Sequence, residues 1–242
     1  MFWKNKQEKQ PWVSAVIVAA GQCTRMNGVD KQQYPLGGIP VVARCIREFH
    51  ACAAISEIIL VCRVNDIASY YALMREYEFL RVRQIVAGGD IRQESVRNGI
   101  AACDEKADYY AIHDGARPLV TAQIIEECIA AAVTHGAAAA GVPVKDTIKV
   151  ASPDGFVSNT PDRSGLFAIQ TPQIFEVQLY KRAMERAQRD GKVYTDDCQL
   201  IEETGHRVFI SNGDYANIKI TTPEDLAIAG ALVDLYKGDN LM

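Results

Sequence analysis

The sequence predicts an α/β protein whose mainly parallel, twisted sheet is covered by helices on both faces. Short β-branched runs alternate with longer amphipathic stretches along most of the 242 residues, and this alternation is typical of parallel sheets with helical connections. The hydrophobic fraction of 48% and the charged fraction of 23% are close to the averages of soluble globular proteins. A chain of this length can bury a substantial core.

Seven segments carry the β-branched and apolar residues that are typical of strands. They are residues 13–18, 57–62, 81–86, 109–113, 138–143, 207–210 and 217–220. Helical periodicity is found in residues 41–50, 67–77, 93–103, 122–135 and 177–189. A last helix is predicted from Thr222, which serves as its N-cap, with Pro223 at the first helical position and Asp225 reinforcing the cap.

One segment, residues 145–170, interrupts the alternation. It contains two extended runs, residues 147–151 and 155–158, around a Ser-Pro-Asp-Gly turn. A connection this long within a compact domain usually has a function of its own. We therefore predict a protruding β-hairpin arm at about residues 144–170, within one domain of residues 13–242 that follows a polar tail of residues 1–12.

Charge and cysteine usage exclude several classes of protein. The formal net charge of −4 is unlike the basic excess of general nucleic-acid binders, so we expect no nucleic-acid partner. The seven cysteines contain no C-x-x-C pair and fit neither a disulfide framework nor a zinc site. No apolar stretch is long enough to span a membrane, and the polar start lacks a secretory pattern. These features predict a cytoplasmic protein without a membrane partner.

Small residues and two cations follow the first predicted strand. Ala19, Ala20 and Gly21 allow backbone N–H groups to approach an anion closely. Arg25 adds a guanidinium suited to phosphate oxygens, and Lys31 follows as a second cation. Surface charge is the alternative explanation for such a pair, but the neighbouring small-residue turn favours phosphate binding. Because both G-x-G-x-x-G and the Walker pattern are missing from the sequence, a dinucleotide fold and a P-loop are disfavoured.

Three further groups of residues follow predicted strands. The Gly-Gly-Asp turn at residues 88–90, taken alone, is best explained as an ordinary strand-to-helix turn. Asp114 stands at a strand end, where its carboxylate can bind Mg²⁺ together with substrate phosphates. Arg117 either pairs with Asp114 or faces a substrate, and both explanations stay open. Lys219 precedes the last helix and on its own indicates little.

Taken together, these segments resemble the 2-C-methyl-D-erythritol 4-phosphate cytidylyltransferases of the non-mevalonate isoprenoid pathway. The shared patterns are A-A-G-x-x-x-R-M, K-Q followed by L-G-G, H-D-G-A-R-P, V-K-D-T-I-K, D-R-x-x-L with Q-T-P-Q-x-F, T-D-D and N-I-K-I-T-x-P-E-D-L, in this order. The resemblance implies a Rossmann-like nucleotidyltransferase fold and transfer of CMP from CTP to methylerythritol phosphate. It also implies Mg²⁺ or another divalent cation as cofactor, and a homodimer joined through the arm.

The resemblance further implies a role for each matching residue. The catalytic cations that hold the CTP phosphates would be Arg25, Lys31 and Lys219. The nucleotide pocket would comprise Ala19, Ala20, Gly21, Gly89, Asp90 and Ser95. Methylerythritol phosphate would be bound by Asp114, Arg117, Thr147, Arg163, Thr171 and Thr195. Asp114 would also bind the metal, and Thr147 and Arg163 would serve the neighbouring subunit's site.

Two alternative activities and one departure from the family pattern accompany this interpretation. A ribitol-5-phosphate cytidylyltransferase shares the first loop and the N-I-K-I-T ending, although the arm sequence favours the methylerythritol enzyme. A non-catalytic nucleotide-binding module is disfavoured by the distant cations Arg163 and Lys219.

Cys23 stands where the family usually has a second loop glycine, and a cysteine there narrows the backbone freedom of the loop. No general base is needed, because a phosphate monoester dianion is already a nucleophile.

Overall fold

The computed structural model describes residues 10–21, 26 and 28–239, with side chains up to residue 235. These residues form eleven strands: β1 (Val13–Val18), β2 (Pro35–Leu36), β3 (Ile39–Pro40), β4 (Glu57–Cys62), β5 (Val82–Ala87), β6 (Tyr109–Asp114), β7 (Ala137–Pro143), β8 (Val150–Ala151), β9 (Val157–Asn159), β10 (Phe167–Glu176) and β11 (Phe209–Asn212). They also form seven α-helices: α1 (Val41–Ala51), α2 (Ile67–Glu76), α3 (Arg92–Ala101), α4 (Ala122–His135), α5 (Val177–Arg189), α6 (Asp197–Glu202) and α7 (Pro223–Asp239). Most of the predicted tail, residues 1–12, lies outside the described residues.

Seven of the strands form one sheet, in the order β11-β7-β10-β6-β1-β4-β5. Every neighbouring pair is parallel except those of β10, which runs antiparallel to both β6 and β7. The first strand is central: Ile17 pairs with Leu60 of β4 on one side and with His113 of β6 on the other. The prediction of a mainly parallel sheet is confirmed.

Helices cover both faces of the sheet, as predicted. On one face, alternate residues of β1 such as Ala15 and Ile17 pack with α1, α2 and α4 in the larger core cluster. On the other face, Tyr110 and Ile112 of β6 pack with α3, α5 and α6. A third cluster lies at the edge of the fold, where Leu226 and neighbouring residues of α7 pack against Met26. This cluster supports the end of the first loop.

Two predictions for the C-terminal third of the chain are wrong. Residues 217–220 are not a strand, because this segment is irregular: the Asn217 carbonyl oxygen accepts from the Arg117 side chain, and the Ile220 N–H donates to the Ala116 carbonyl oxygen in a loop. The ten-residue strand β10 was not predicted, and it lies in the middle of the sheet. Its pairing with β7 shifts register between Ile169 and Gln173, so an irregularity interrupts the alternation of side chains.

The predicted arm is confirmed as a two-stranded hairpin. Val150 of β8 pairs with Asn159 of β9, and Gly155 in the intervening turn adopts a left-handed φ of +89°. Both strands of the arm are exposed, and Phe156 near the turn is 73% exposed. Among the described residues, none of the helices is both long and apolar enough to cross a membrane.

Candidate active site

A cleft of about 450 Å³ opens at the carboxyl edge of the sheet. The ends of β1, β4, β5 and β6 contribute Val18, Arg63, Gly88 and Asp114 to its wall. Lys219, from the segment before α7, is part of the same wall. Ligands of open α/β sheets bind at this edge, because the connecting loops diverge there and leave a crevice.

The loops after β1 and β5 meet closely at the floor of the cleft. A Cβ added to Gly88 would lie 2.4 Å from the Ala20 Cβ and 2.8 Å from the Ser95 Oγ, so only glycine fits. The Ser95 hydroxyl accepts a hydrogen bond from the Gly89 N–H at 3.1 Å and fixes the turn before α3. The Asp90 N–H in turn donates to a carboxylate oxygen of α3. Ser95 therefore organises the turn that borders this side of the cleft.

Asp114 ends β6 and forms ion pairs with two cations. Its Oδ2 accepts a hydrogen bond from Lys219 Nζ at 2.7 Å, and its Oδ1 lies 3.3 Å from Arg92 Nε. Burial by itself would raise the pKa of Asp114, but Arg92 and Lys219 outweigh burial and hold this pKa below its ordinary value. Asp114 is therefore an anionic group that faces the cleft.

Arg92 bridges Asp114 to a second, deeper carboxylate. Its Nη1 lies 2.7 Å from Oδ2 of Asp197, at the start of α6. Asp197 is buried and also accepts a 2.6 Å hydrogen bond from the Tyr180 hydroxyl. A buried carboxylate needs such partners, because an unpaired one would be costly. Asp197, Arg92, Asp114 and Lys219 hence form a chain of alternating charges from the core to the cleft.

Lys31 and Lys219 reach the cleft from distant parts of the chain. Lys31 Nζ donates to the Ile220 carbonyl oxygen at 2.9 Å, and Lys219 directly precedes that residue. The Ile220 N–H donates to the Ala116 carbonyl oxygen, which ties the segment to the loop after β6. Two predicted catalytic cations are thus brought together, and the third, Arg25, lies outside the described residues.

Two of the predicted substrate-binding residues are buried behind the cleft. Arg117 is 8% exposed, and its Nη1 donates to the Asn217 carbonyl oxygen at 2.6 Å. Thr171 Oγ1 accepts from the Asp114 N–H at 3.1 Å and lies 3.0 Å from His113 Nδ1. Burial lowers the pKa of His113 to about 3, so this imidazole is neutral at physiological pH. These contacts support the β6 end from behind.

Three other predicted residues lie outside the wall of the cleft. Thr147 and Arg163 belong to the arm, where Arg163 Nη1 donates to the Lys145 carbonyl oxygen at 2.6 Å. Thr195 lies before α6, and its hydroxyl donates to Gln199 Oε1 at 3.1 Å. Of the residues assigned to the nucleotide pocket, Ala19 is buried, whereas the others line the cleft: Ala20, Gly21, Gly89, Asp90 and Ser95.

Three polar residues of the cleft were not among the predicted site residues. Arg63 and Arg92 stand directly after β4 and at the start of α3, and both line the wall. Gln32 is also part of the wall, and its buried Oε1 has no hydrogen-bond partner among the described residues. The signal that could have found both arginines is their position at a predicted strand-to-helix transition, the same criterion that singled out Asp114.

The described residues contain no cluster of three or more His, Cys, Asp or Glu side chains that could hold a metal ion by themselves. Mg²⁺, however, binds proteins through one or two carboxylates and completes its coordination with substrate phosphates and water. Each carboxylate oxygen has two lone pairs, so Asp114 can accept from Arg92 and Lys219 and still bind a cation. Asp114 therefore fits the requirement of a magnesium site that forms together with a phosphate substrate.

Comparisons with known proteins agree on one family. A family model described as IspD, 2-C-methyl-D-erythritol 4-phosphate cytidylyltransferase, matches residues 13–234. The enzyme of that name from Caldanaerobacter subterraneus subsp. tengcongensis is 49% identical over 226 residues, covering 90% of this chain and 96% of its own. That from Syntrophotalea carbinolica is 46% identical over 228 residues, covering 92% and 96%.

Solved structures of enzymes with this family's name superpose on the chain. The 4-diphosphocytidyl-2C-methyl-D-erythritol synthase of Anaerococcus prevotii superposes with a TM-score of 0.84 at 30% identity, over 93% of this chain and 100% of its own. The 2-C-methyl-D-erythritol 4-phosphate cytidylyltransferase of Thermus thermophilus superposes with a TM-score of 0.75 at 27% identity, over 91% and 98%. The nucleotidyltransferase fold is thus common to this chain and these structures.

Proposed function

This chain belongs to the 2-C-methyl-D-erythritol 4-phosphate cytidylyltransferase family, and from this premise we propose how its cleft performs the reaction. The chain is a cytidylyltransferase of isoprenoid precursor biosynthesis, which transfers CMP from CTP to 2-C-methyl-D-erythritol 4-phosphate and releases pyrophosphate. A phosphate oxygen of the acceptor attacks the α-phosphorus of CTP in line with the leaving pyrophosphate. The new P–O bond forms as the bond to the pyrophosphate oxygen breaks.

The observation that carries this mechanism is the convergence of cations on one face of the cleft. Two anionic substrates repel each other, and negative charge accumulates on the oxygens of the transferring group and leaving group. Lys31 and Lys219 both line the cleft. Lys31 Nζ donates to the carbonyl oxygen of Ile220, the residue that follows Lys219. Cations fixed in place before the reaction lower such a barrier most effectively. In this mechanism Arg25 and Lys31 hold the CTP phosphates, and Lys219 stabilises the α-phosphate.

The nucleoside part of CTP binds beside the turn before α3. Gly89 and Asp90 line the cleft, and the Ser95 hydroxyl holds their turn by accepting from the Gly89 N–H. Ala20 and Gly21 border the opposite side, with Ala19 buried beneath. Small side chains there leave room for a ring and a ribose to approach the backbone.

Asp114 is the proposed ligand of the divalent cation. Held there, Mg²⁺ would supply positive charge that offsets the negative charge developing on the phosphates during transfer. Asp114 holds a fixed negative charge for this purpose, because Arg92 and Lys219 keep it ionised. Arg117 and Thr171 act on the methylerythritol side of the site by supporting Asp114 and its loop from behind.

The assembly we propose is a homodimer in which each arm completes the partner's site. The arm exposes apolar side chains, with Val157 60% exposed and Phe156 73% exposed, and a second copy of the chain would cover them. Thr147 and Arg163 on the arm would then reach the acceptor phosphate in the neighbouring cleft, opposite Thr195. The proposed compartment is the cytoplasm, which agrees with six free cysteines among the described residues.

Pyrophosphate release is the experiment that tests the proposed function. The purified chain is assayed with CTP and Mg²⁺, with methylerythritol phosphate or ribitol phosphate as the acceptor. We expect turnover with methylerythritol phosphate as the acceptor and none with ribitol phosphate. Turnover with ribitol phosphate alone would contradict the proposed acceptor, and CTP binding without turnover on either acceptor would identify a non-catalytic nucleotide-binding protein.

The proposed clamp is tested by removing one cation at a time. Lys219→Ala should lower kcat about a hundredfold or more, because a preorganised charge at the transition state is lost. Lys181→Ala is the matched control, since Lys181 is an exposed lysine of α5 outside the cleft. Near-normal kcat for Lys219→Ala at saturating substrates would remove Lys219 from the mechanism.

A further inference from the structure

Arg63 holds two acidic residues together at the mouth of the cleft. It directly follows β4, and its guanidinium forms ion pairs with Asp30 through Nη2 and with Asp66 through Nε. All three side chains are partly exposed, at 34%, 30% and 22% for Arg63, Asp30 and Asp66. We call these three residues the clasp.

The clasp connects the segment of Lys31 to a rigid part of the fold. Asp66 ends a short 3-10 helix that leads into α2, and its carbonyl oxygen accepts a hydrogen bond from Ser69 Oγ. Asp30 immediately precedes Lys31, and its Oδ1 accepts a 3.0 Å hydrogen bond from the Gln32 N–H. Arg63 thus ties both neighbours of Lys31 to the end of β4.

We propose that Arg63 is a positioning residue, which acts on the nucleotide phosphates through Lys31 by holding Asp30 in place. This inference rests on the proposed function of Lys31 as a phosphate-binding cation. Without Arg63, both ion pairs of the clasp are lost, and with them the link from Asp30 to the end of β4. The expected consequence is an outward displacement of the segment that carries Lys31.

Direct contact between Arg63 and CTP is the competing explanation. Arg63 lines the cleft, and a guanidinium has five N–H donors, so two ion pairs do not exhaust it. A mere surface ion pair is the other competitor, because partly exposed pairs usually contribute little to stability. The three explanations differ in how Arg63 couples to Lys31 and to Asp30, and a double-mutant cycle measures such coupling.

The test compares Arg63→Gln, Asp30→Asn, Lys31→Ala and their pairwise combinations. CTP affinity is measured by calorimetry with Mg²⁺, and kcat and KM are measured for both substrates. Arg75→Gln is the matched control, because Arg75 is an exposed arginine of α2 that does not line the cleft. Thermal midpoints within about 2 °C of the wild-type value exclude a general loss of stability.

We expect Arg63→Gln to weaken CTP binding and to lower kcat/KM for CTP by about tenfold, with an unchanged KM for the acceptor. Asp30→Asn should have a similar effect, and the double variant should be no worse than either single variant. In the Lys31→Ala background, Arg63→Gln should have no further effect. Calorimetry reads CTP binding even if the wild-type chain releases no pyrophosphate, so failure of the clasp and failure of the proposed function are distinguishable.

Two results would overturn the clasp. If Arg63→Gln weakens CTP binding equally with and without Lys31, and Asp30→Asn has no effect, Arg63 contacts the nucleotide directly. If neither Arg63→Gln nor Asp30→Asn changes CTP affinity or kcat/KM, the clasp is a surface ion pair without influence on the site.

Discussion

At the scale of single residues, the floor of the cleft depends on the missing side chain of Gly88. A methyl group there would lie 2.4 Å from the Ala20 Cβ, which belongs to the opposite loop and cannot rotate away. Gly88→Ala should therefore push the two loops apart and weaken CTP binding more than tenfold, with a loss of about 1–3 kcal/mol of stability. Calorimetry and urea unfolding measure the two effects.

The matched control for this prediction is Gly230→Ala in α7. The nearest atom to a Cβ at residue 230 is a leucine methyl 4.0 Å away, so the substitution fits the available space. It should leave CTP binding unchanged and stabilise the helix slightly, because alanine has the higher helix propensity. Equal CTP affinity for Gly88→Ala and the wild type would show that separation of the two loops does not affect CTP binding.

The buried imidazole of His113 should make stability depend on pH. Burial lowers its pKa from 6.5 to about 3 in the folded chain, so the unfolded chain binds more protons between these values. Stability is therefore fully present above about pH 6.5 and is lost as the pH falls towards 3. The free energy of unfolding, measured by urea titration from pH 7 to pH 4, should decrease less for His113→Gln than for the wild type. Parallel losses in both would exclude His113 as a cause.

Three of the residues chosen from local sequence patterns lie together in the structure. Lys31, Asp114 and Lys219 all line one cleft, although their functional roles stay predictions. The position of Arg92 at a strand-to-helix transition was a local signal, but its ion pair with Asp197, 105 residues away, could not be predicted from a local pattern. Arg117, by contrast, follows the same strand end as Asp114 but is buried, and its Nη1 donates to the Asn217 carbonyl oxygen.

At the scale of elements, the start of α7 fixes the segment that carries Lys219. The Asp225 carboxylate accepts hydrogen bonds from the Thr221 N–H at 2.7 Å and from the Thr222 N–H at 2.9 Å. Asp225 thus reinforces the helix start, as the sequence predicted. Asp225→Ala should cost about 1–2 kcal/mol of stability and lower kcat, because Lys219 loses its fixed anchor.

Asp234→Ala tests whether this effect belongs to the cap. Asp234 is exposed in the same helix, two and a half turns later, and makes no hydrogen bond to the helix start. Its replacement should leave kcat unchanged. If Asp225→Ala lowers stability but kcat stays normal, the cap supports the helix without positioning Lys219.

Strands that are buried on both faces were predictable, because a short apolar run with turn residues beside it is their sequence signal. The bounds predicted for residues 13–18 and 57–62 are those observed for β1 and β4. Strand β10 was missed because its polar Gln-Thr-Pro-Gln centre shows no strand periodicity, and long-range partners satisfy those polar groups. Asn217 Nδ2, for example, donates to Gln170 Oε1 and to the Thr171 carbonyl oxygen. Asn217 and Ile220 are both buried. A short, partly apolar and buried segment has the composition of a strand, although this one is irregular.

At the scale of the whole molecule, the arm separates two models of the site. If each arm serves its own cleft, Thr147 and Arg163 must reach Asp114 within one chain. If each arm serves the partner, the site is incomplete in a monomer. The exposed apolar side chain of Phe156 near the tip of the arm favours the second model, since a second chain would cover it. Sedimentation should show a dimer for the wild type and a monomer for Phe156→Asp.

Mixed dimers distinguish the two models directly. A chain with Arg163→Ala, which damages only the arm, is co-expressed with a chain carrying Lys219→Ala, which damages only the cleft. If arms act on the partner, one site of each mixed dimer combines an intact cleft with an intact arm. Random pairing makes half of the dimers mixed, so about a quarter of the wild-type activity should return.

The matched control pairs two chains that both have damaged clefts, Lys31→Ala and Lys219→Ala. No mixed dimer of these two chains contains an intact cleft, so activity should stay at the level of the single variants whichever chain the arm serves. Recovery in the arm–cleft mixture alone would establish sites shared between subunits, because only exchange of arms restores a complete set of groups. An arm that serves its own cleft leaves one defect in every site, and the arm–cleft mixture would then stay as inactive as its two components.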